Sequence, residues 1–259
     1  MARRKRTSDK EVIKKIEEEL ADSMTGNQFQ PIKRQLRINQ FKWTDNQKEF
    51  FKLGLHQEAK IVFVSGPAGT SKSLLSVYCG LQLLNQKRGS DIMYLRSSVE
   101  SADQRLGYLP GNADEKLAYF KIPLLEKLDE LLPDTTTERL EKEGRISMFP
   151  INFTRGVNWK NKCVIVDEAQ NCTLKELTTV LTRLGEGSIC YILADPMQTD
   201  LRSERIIGGF EKLVKCFSDE ESVEHGIYTF NFSEEDIMRS KLVKFLITKL
   251  NEYNKEHED

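Results

Sequence analysis

The sequence predicts an α/β protein built on a mostly parallel, doubly wound sheet with helices on both faces. Three observations support this fold class. From residue 59 onwards, short apolar runs alternate with longer amphipathic stretches, which is the order of strands and helices in such a sheet. The first apolar run leads through a glycine-containing loop into a helix. Two later runs end in carboxylates, which buried parallel strands carry at their carboxyl ends, where ligands bind.

The individual elements follow from the positions of these runs. Strands are predicted near residues 60–65, 91–96, 145–149, 162–167, 189–194 and 226–231. One helix is predicted from Thr44 or Asp45 to about His56, and others near residues 72–86, 115–132, 173–184, 203–215 and 235–255. The charged segment 134–142 is predicted to be an exposed turn or the end of a helix.

Residues 1–40 are predicted to form a basic N-terminal arm and helix, separate from a main domain over residues 41–259. Basic side chains crowd the first ten residues, which is typical both of a nucleic-acid-binding arm and of a solvated terminus. Ser8 and Glu11 have the spacing of a capping box. The helix that follows carries an apolar stripe formed by Val12, Ile13, Ile16 and Leu20. This stripe must pack against either the main domain or a second subunit.

Length and composition narrow the class of protein. A chain of 259 residues with 39% hydrophobic and 31% charged residues can form one large globular domain or two small ones. The formal net charge of −1 excludes a globally basic nucleic-acid binder but allows a local basic stripe. Five widely spaced cysteines and three scattered histidines show no metal-binding pattern. Because there is no long apolar run and no signal-peptide pattern, we expect no membrane contact and a cytoplasmic location.

The most specific motif is the loop Gly66-Pro67-Ala68-Gly69-Thr70-Ser71-Lys72-Ser73, between an apolar strand and a helix. In such loops, backbone N–H groups at a helix N-terminus bind a polyphosphate, a lysine reaches the β- and γ-phosphates, and a hydroxyl binds Mg²⁺. We therefore expect this loop to bind a nucleoside triphosphate, with Lys72 as a catalytic cation and Ser73 as a metal ligand. Ser71 departs from the usual pattern, which has glycine there. If this position needs a positive φ, serine adds some strain.

Polar side chains also follow two later strands. Asp167 and Glu168 come directly after one apolar strand, and they suit Mg²⁺ binding and the activation of an attacking water, respectively. Asp195 and Gln198 follow the next strand along the chain. Because parallel strands end at one edge of a sheet, we expect these groups to face the phosphate loop, with Gln198 sensing the γ-phosphate.

These segments and several others resemble the PhoH family, a group of RecA-like ATPases related to superfamily 1 helicases. The matching segments are GPAGTSKS (66–73), RSSVES (96–101), RLGYLPG (105–111), TRG (154–156), VIVDEAQN (164–171), LTRLGEGS (181–188), ADPMQTDL (194–201) and EEDIMRSKLV (234–243). The resemblance covers roughly residues 41–250, and the compact length is similar to that of phage-encoded members with a single ATPase module. It implies a RecA-like P-loop ATPase domain over residues 41–259, with ATP and Mg²⁺ as ligands.

The resemblance also implies roles for single residues. Gln47 ends a segment that resembles the helicase Q motif, so its amide would read the adenine edge; an exposed glutamine in a capped helix is the other interpretation. Arg155, Arg183 and Arg239 lie on family-like motifs and are candidates for an arginine finger that stabilises charge on the γ-phosphate. The chain has room for only one RecA-like domain. The finger would therefore come from a neighbouring subunit or from a late arginine of the same chain, such as Arg239.

Two kinds of partner follow from the resemblance. One is a second copy of the chain, in a ring or other head-to-tail homo-oligomer, for which a hexameric ring is one form. The other is RNA or single-stranded DNA, whose phosphates Arg96 would contact; an arginine that caps the strand or pairs with Glu100 fits as well. Among the aromatic residues, Trp159 is the best stacking candidate. The other aromatic candidates fit core positions better, and they are Phe41, Trp43, Tyr94, Tyr108, Phe120 and Phe153.

Three classes of function remain open at this point. The leading one is an ATPase that couples hydrolysis to binding or unwinding of nucleic acid, with helicase-type activity. A P-loop kinase for a small molecule or nucleotide is the second, although the pair Asp167 and Glu168 is more typical of enzymes that activate water. A nucleotide-binding switch with little turnover is the third, because Ser71 could crowd the phosphate loop and make it bind nucleotide weakly or slowly.

Overall fold

The computed structural model describes residues 29–97, 113–133, 135–153, 158–195 and 208–257, together with Lys14 and Glu18. At its centre is a parallel sheet with strands β1 (Ile61–Ser65), β2 (Asp91–Arg96), β3 (Ile146–Pro150), β4 (Lys162–Asp167), β5 (Ile189–Ala194) and β6 (Ile227–Asn231). The strand order is β3-β2-β4-β5-β1-β6. Each strand lies where the sequence predicts it, with ends shifted by no more than one residue. All carboxyl ends share one side of the sheet, called the carboxyl edge below, and all amino ends share the opposite amino edge.

The helices of the described residues are α1 (Asp45–Gly54), α2 (Lys72–Asn85), α3 (Ala113–Leu131), α4 (Thr136–Lys142), α5 (Leu174–Leu181), α6 (Gly209–Cys216), α7 (Glu220–Glu224) and α8 (Lys241–His257). The segment predicted as a turn or helix end forms α4. The helix predicted near residues 203–215 lies partly outside the described residues, and its described part is α6.

The last helix begins later than the sequence predicts, at Lys241 instead of near residue 235. Ser233 caps a single 3-10 turn over Glu234–Asp236, and Ile237 after it is extended, with φ −66° and ψ 111°. This short capped turn and the extended residue after it occupy the positions where the sequence predicted the start of the helix. It also directs the chain towards the phosphate loop before α8 begins.

Helices cover both faces of the sheet, as predicted. Successive strand residues point to opposite faces, so each strand contributes to two clusters. On one face, strand residues such as Val64 and Ile165 pack against apolar residues of α1, α2 and α3. On the other face, Phe63 and Val166 pack with apolar residues of α5 and α6. The five strands β1 to β5 are therefore largely buried on both sides, which explains their nearly continuous apolar sequences, whereas β6 at the edge of the sheet is only partly buried.

The segment before α1 is packed onto the main body. Ile32, Leu36 and Ile38 are buried in the same cluster as α2. The Leu36 N–H donates to Asn85 Oδ1 over 2.7 Å, and Asn85 Nδ2 donates back to the Leu36 carbonyl over 3.0 Å. The packed body thus includes residues 29–40. The proposed division of the chain at residue 40 stays a prediction.

Two further properties concern the apolar character of the helices and the state of the cysteines. No helix in the described residues combines the length and apolar character that crossing a bilayer requires. All five cysteines are unpaired thiols; four of them are buried and Cys216 is exposed. Burial raises the pKa of the Cys79 and Cys190 thiols well above their ordinary value. The buried cysteines are therefore inert core residues.

Candidate functional site

A cleft of about 720 Å³ lies at the carboxyl edge of the sheet. This is the range of small-molecule and cofactor sites in proteins. Its walls come from the phosphate loop, the ends of β4 and β5, the segment before α1, α3, and the residues before α8. The predicted site residues that line it are Gln47, Ala68, Gly69, Ser71, Lys72, Ser73, Asp167, Glu168, Asp195 and Arg239. Gly66, Pro67 and Thr70 belong to the same loop but do not line the cleft.

The backbone of the phosphate loop is bent by three residues with positive φ. Gly66 has φ 151°, and a Cβ there would lie 2.7 Å from Phe232 Cβ. Gly69 has φ 82°, and a Cβ there would lie 3.0 Å from Arg239 Cγ. Ser71, at the position where the usual motif has glycine, has φ 65° and ψ 22°, in the left-handed region. The strain that the sequence suggested for Ser71 is therefore present.

Lys72 is the first residue of α2, and its ammonium folds back over the loop. Nζ donates to the carbonyl of Gly66 over 2.6 Å and to that of Pro67 over 3.0 Å. Burial lowers the pKa of Lys72, while the carboxylates of Asp195 and Asp167 act in the opposite direction. The lysine thus lies at a helix N-terminus in an environment that strengthens its attraction to an anion.

Asp167 is held by two hydroxyl groups at the end of β4. Ser73 Oγ donates to Asp167 Oδ1 over 2.9 Å, and the Tyr94 hydroxyl donates to Asp167 Oδ2. Burial, followed by the nearby charge of Asp167, raises the pKa of Tyr94 well above its ordinary value, so Tyr94 stays a donor. A hydroxyl and a carboxylate from separate elements, fixed within hydrogen-bond distance, are oxygen ligands that suit Mg²⁺. The residues present therefore fit the predicted metal site.

Glu168 and Asp195 are connected through Gln170, which the sequence interpretation did not assign. Gln170 Nε2 donates to Glu168 Oε2 over 2.6 Å, and Gln170 Oε1 accepts the Asp195 N–H over 3.1 Å. Burial and then the charge of Asp167 raise the pKa of Glu168, against the effect of the bond from Gln170. Glu168 also has φ 56°, an unfavourable value for a residue other than glycine. A carboxylate with a raised pKa, oriented by an amide, suits proton transfer from water.

The segment before α1 forms the end of the cleft away from the carboxylates. Gln47 is fully buried, contrary to the interpretation as an exposed cap. It nevertheless forms a capping box, because its Oε1 accepts the Thr44 N–H over 3.0 Å. Gln47 Nε2 and Trp43 Nε1 are buried and have no hydrogen-bond partner among the described residues. Together with Phe41, these two side chains line the cleft, so this end of the cleft combines an aromatic wall with two buried donors behind its surface.

Asp236 ties this end of the cleft to the segment before α8. Its carboxylate accepts the Asn46 amide over 2.7 Å and the Thr44 hydroxyl over 3.2 Å. Burial acts to raise the pKa of Asp236, but these bonds and those from Ser233 outweigh it and lower the pKa. Two residues further on, the Met238 N–H donates to the Gly69 carbonyl over 2.9 Å. This contact brings Arg239 against the phosphate loop of its own chain.

Lys127 on α3 is a second cation in the cleft that the sequence interpretation missed. Its Nζ lies 5.9 Å from the centroid of the Tyr94 ring and donates to the Pro123 carbonyl over 2.7 Å. Burial lowers the pKa of Lys127, and the charge of Asp167 counteracts this. A sequence signal existed, because Lys127 shares a helical face with the buried residues Leu124 and Leu131. A lysine on an apolar stripe indicates a functional or paired cation.

Other predicted residues are either not described or lie away from the cleft. Gln198 and Arg155 lie outside the described residues. Arg183 lies between α5 and β5, at the amino edge, where its carbonyl accepts the Trp159 N–H over 2.7 Å. Arg183 therefore does not line the cleft of its own chain. The proposal that Trp159 stacks on nucleic acid is wrong, since this side chain is fully buried in the core.

Lys162, three residues after Trp159, is the first residue of β4 and is almost completely buried. Its Nζ forms an ion pair with Asp91 Oδ2 over 2.7 Å. Burial is the main influence on this carboxyl and raises the pKa of Asp91, against the effect of Lys162. This pair connects the amino ends of β2 and β4.

Comparison with known proteins adds an independent finding. The profile of a family described as PhoH-like protein matches residues 41–251. PhoH-like proteins of Synechocystis sp. PCC 6803 and Bacillus subtilis 168 are each 34% identical to this chain, over 191 and 194 residues, which are 74% and 75% of it. Protein PhoH of Escherichia coli K12 is 31% identical over 199 residues, or 76% of this chain. The matches cover 56%, 59% and 54% of these relatives, so the chain spans little more than half of their length.

Proposed function

Because the chain belongs to the PhoH-like protein family, we propose that it is an ATPase that binds Mg²⁺ and ATP and couples hydrolysis to RNA or single-stranded DNA. One observation carries the proposal: Lys72, Asp167 and Glu168, which are far apart in sequence, line one cleft of nucleotide size. A phosphate loop alone also occurs in kinases. A carboxylate that suits Mg²⁺ and a second that suits proton transfer from water favour hydrolysis over transfer to another acceptor.

The phosphate loop and Lys72 hold the triphosphate in this proposal. The backbone N–H groups of residues 68–73 and the positive end of α2 bind the β- and γ-phosphates. Ser73 and Asp167 would hold Mg²⁺, which neutralises charge on the phosphate oxygens when it is bound. Tyr94 keeps the Asp167 carboxylate oriented towards the loop.

Glu168 is the proposed general base, and it takes a proton from the attacking water. Its raised pKa and its bond to Gln170 suit that role. Gln170 also binds the backbone of Asp195, from which the chain continues towards Gln198. We propose that this connection carries the state of the γ-phosphate to Gln198 and the adjoining surface.

Basic residues in two places support the nucleic-acid part of the proposal. Arg96 ends β2 at the carboxyl edge, in register with Asp167 on the neighbouring strand. A stretch of exposed cations precedes α1 and consists of Lys33, Arg34, Arg37 and Lys42. These are the side chains that would contact phosphates without reading sequence, as in binding of single strands.

The source of the arginine finger determines whether the enzyme acts alone. Arg239 already contacts the loop of its own chain, which supports a role in cis. Arg183 lies at the opposite edge and would act only from a neighbouring copy. We propose a head-to-tail homo-oligomer, for which a hexameric ring is one form, with Arg239 as the finger in cis and Arg183 at the contact between copies. Full specific activity of a monomer in dilute solution would contradict the need for assembly.

We also propose a cytoplasmic location. Four of the five cysteines are buried and none is paired. Unpaired thiols are usual in compartments that keep cysteine reduced. A disulfide-linked form isolated from cells under non-reducing conditions would contradict this location.

Steady-state phosphate release tests the function directly. The full chain is assayed with Mg²⁺ and ATP alone, with RNA, and with single-stranded DNA. We expect measurable release that one polymer stimulates, and its loss in Lys72→Met, with Lys142→Met on the exposed surface of α4 as the control. A phosphorylated acceptor in place of free phosphate would indicate a kinase. Tight ATP binding without any release would indicate a switch.

A further inference from the structure

The chain between β6 and α8 packs against the phosphate loop and carries Arg239 into the cleft. We call residues 232–240 the β6–α8 connection. The Met238 N–H donates to the Gly69 carbonyl over 2.9 Å, and a Cβ at Gly69 would lie 3.0 Å from Arg239 Cγ. Arg239 itself lines the cleft. The proposed function uses this arginine but does not explain what holds the exposed connection in place.

Asp236 lies in the middle of the β6–α8 connection, and its carboxylate has more partners than its own turn requires. The Ser233 N–H donates to Asp236 Oδ2 over 2.9 Å, which completes the capping box of the 3-10 turn. The carboxylate also accepts the Asn46 amide over 2.7 Å and the Thr44 hydroxyl over 3.2 Å. Asn46 and Thr44 belong to the start of α1. Asp236 therefore connects the β6–α8 connection to a helix that is distant in sequence.

The environment of Asp236 keeps its carboxylate ionised. The side chain is buried, with 4% of the residue exposed. Burial opposes the charged form, but the bonds from Ser233, Asn46 and Thr44 outweigh it and lower the pKa. The N-terminus of α1 also favours an anion. The bonds from Asp236 to α1 are therefore present at neutral pH.

We infer that Asp236 is a positioning residue that holds Arg239 in the cleft by fixing the β6–α8 connection to the start of α1. The inference rests on the proposed function, in which Arg239 acts on the γ-phosphate of its own chain. Neither Asp236 nor Asn46 is among the residues that line the cleft. Their effect on the reaction therefore passes through Arg239.

The link between Asp236 and Arg239 is short and held along its length. It consists of Ile237 and Met238. Ile237 is extended, with φ −66° and ψ 111°, and is 5% exposed. The Met238 N–H is bonded to the phosphate loop. An extended and packed link cannot absorb a movement of Asp236, so Arg239 moves with it.

The same contacts connect the two ends of the cleft. Thr44, which donates its hydroxyl to Asp236, also donates its N–H to Gln47 Oε1 over 3.0 Å. Gln47 lines the far end of the cleft. A nucleoside that packs there would restrict Gln47 and Thr44, and through Asp236 it would restrict the arginine, since a hydrogen-bond network can carry such coupling. A nucleoside triphosphate should therefore fix Arg239 more than tripolyphosphate, which has no base.

Hydrogen–deuterium exchange of the full chain without nucleotide tests the positioning directly. Asn46→Asp sets a second carboxylate against Asp236 but keeps a residue that suits the first turn of a helix. We expect exchange of the Met238 N–H to rise by at least about tenfold, with no change in β1 or α2, because a bond to a charged group is lost. Asn46→Ala, which adds no charge, should cause a smaller rise.

The control for these variants is Asp219→Asn. Asp219 caps α7 by accepting the Ser222 N–H over 2.8 Å, so the control weakens a capping carboxylate that is not attached to the β6–α8 connection. It should leave the exchange of Met238 unchanged. Unchanged exchange of Met238 in Asn46→Asp, or an increase spread evenly over the sheet, would overturn the inference.

A double-mutant cycle shows whether the contact acts through Arg239. Asn46→Ala should lower kcat by about tenfold and leave the KM for ATP within about twofold, because a misplaced catalytic group costs rate more than binding. In an Arg239→Ala background the same substitution should lower kcat by less than about twofold, since the positioned group is already absent. Losses that add in the double variant would overturn the inference.

Exchange with bound ligands separates this inference from the proposed ATPase. In the native chain, a non-hydrolysable ATP analogue with Mg²⁺ should slow exchange of the Met238 N–H more than tripolyphosphate does, and Asn46→Asp should remove that difference. Equal protection by the two ligands would overturn the coupling between the ends of the cleft. A native chain that neither binds nor hydrolyses ATP would contradict the proposed function, while the exchange without nucleotide still decides whether Asp236 positions the connection.

Discussion

The two ends of the cleft differ in how their polar groups are satisfied. At the phosphate end, Lys72, Asp167 and Glu168 each have hydrogen-bond partners within the protein. At the other end, the buried donors of Gln47 and Trp43 have no partner among the described residues. Buried donors of this kind usually cost about 1–3 kcal/mol each. The phosphate end is therefore fixed in advance by contacts within the protein, and we expect a bound nucleotide to supply the missing partners at the other end.

The largest expected effect concerns the chemistry of the phosphate end. Glu168→Gln keeps the hydrogen bond to Gln170 within reach but removes the proton acceptor. We expect hydrolysis to fall by about 10²–10⁴-fold, the usual contribution of a general base, while ATP binding is retained. Single-turnover phosphate release and fluorescent-nucleotide titration measure the two effects. Hydrolysis at the native rate would show that another group activates water.

The pH dependence of hydrolysis examines the same carboxylate without a substitution. Burial raises the pKa of Glu168, so its charged form is lost at a higher pH than for an ordinary glutamate. A base must be ionised, and the rate should therefore fall by about tenfold per pH unit below that raised pKa. A pH–rate profile of kcat with saturating ATP measures it. An acid limb at or below the ordinary pKa of glutamate would contradict the assignment.

Gln47→Glu tests the end of the cleft away from the carboxylates and keeps the capping box at the start of α1. Glutamate at this position can still cap Thr44 in a capping box, but it replaces the unpaired amide donor with an acceptor. We expect ATP and ADP affinity to fall by about tenfold each, since a lost hydrogen bond of about 1.4 kcal/mol has that effect. Titrations with ATP, ADP and CTP compare the losses. Unchanged affinity would mean that no base occupies this end.

Lys127→Met is expected to weaken the binding of ATP more than the binding of ADP. Lys127 lies beside Tyr94 near the carboxylates, so its loss should weaken ATP by about fivefold and ADP much less. Calorimetry with both nucleotides measures the ratio. The control is Lys52→Met, which removes an exposed lysine of α1. Equal losses for ATP and ADP would place Lys127 at the shared part of the nucleotide instead.

The smallest effect is expected at the strained serine of the loop. Ser71→Gly removes the cost of a left-handed conformation, roughly 1 kcal/mol, and this is partly offset by the greater freedom of glycine in the unfolded chain. We expect ATP affinity or turnover to rise by less than about fivefold. Thermal unfolding and steady-state kinetics measure it. No change, or a loss, would show that the loop has adapted to serine.

The comparison also explains which parts of the site could be predicted. Residues 66–73 are contiguous, and their spacing alone indicated a phosphate loop. Asp167, Glu168 and Asp195 were found because buried parallel strands bring carboxylates out at one edge. Gln170 and Tyr94 were missed, since a residue that orients a carboxylate has no characteristic spacing from it. Lys127 was missed although it interrupts an apolar helical stripe.

The sequence by itself determined the sheet, the order of its elements and the phosphate loop, because these depend on local periodicity and on contiguous motifs. The tertiary structure decided which distant segments meet. Asp236 binds Thr44 and Asn46, which are 192 and 190 residues away in the sequence. Trp159 is buried where a stacking surface was predicted. Such contacts depend on chain packing and on the burial of individual atoms, which no local pattern encodes.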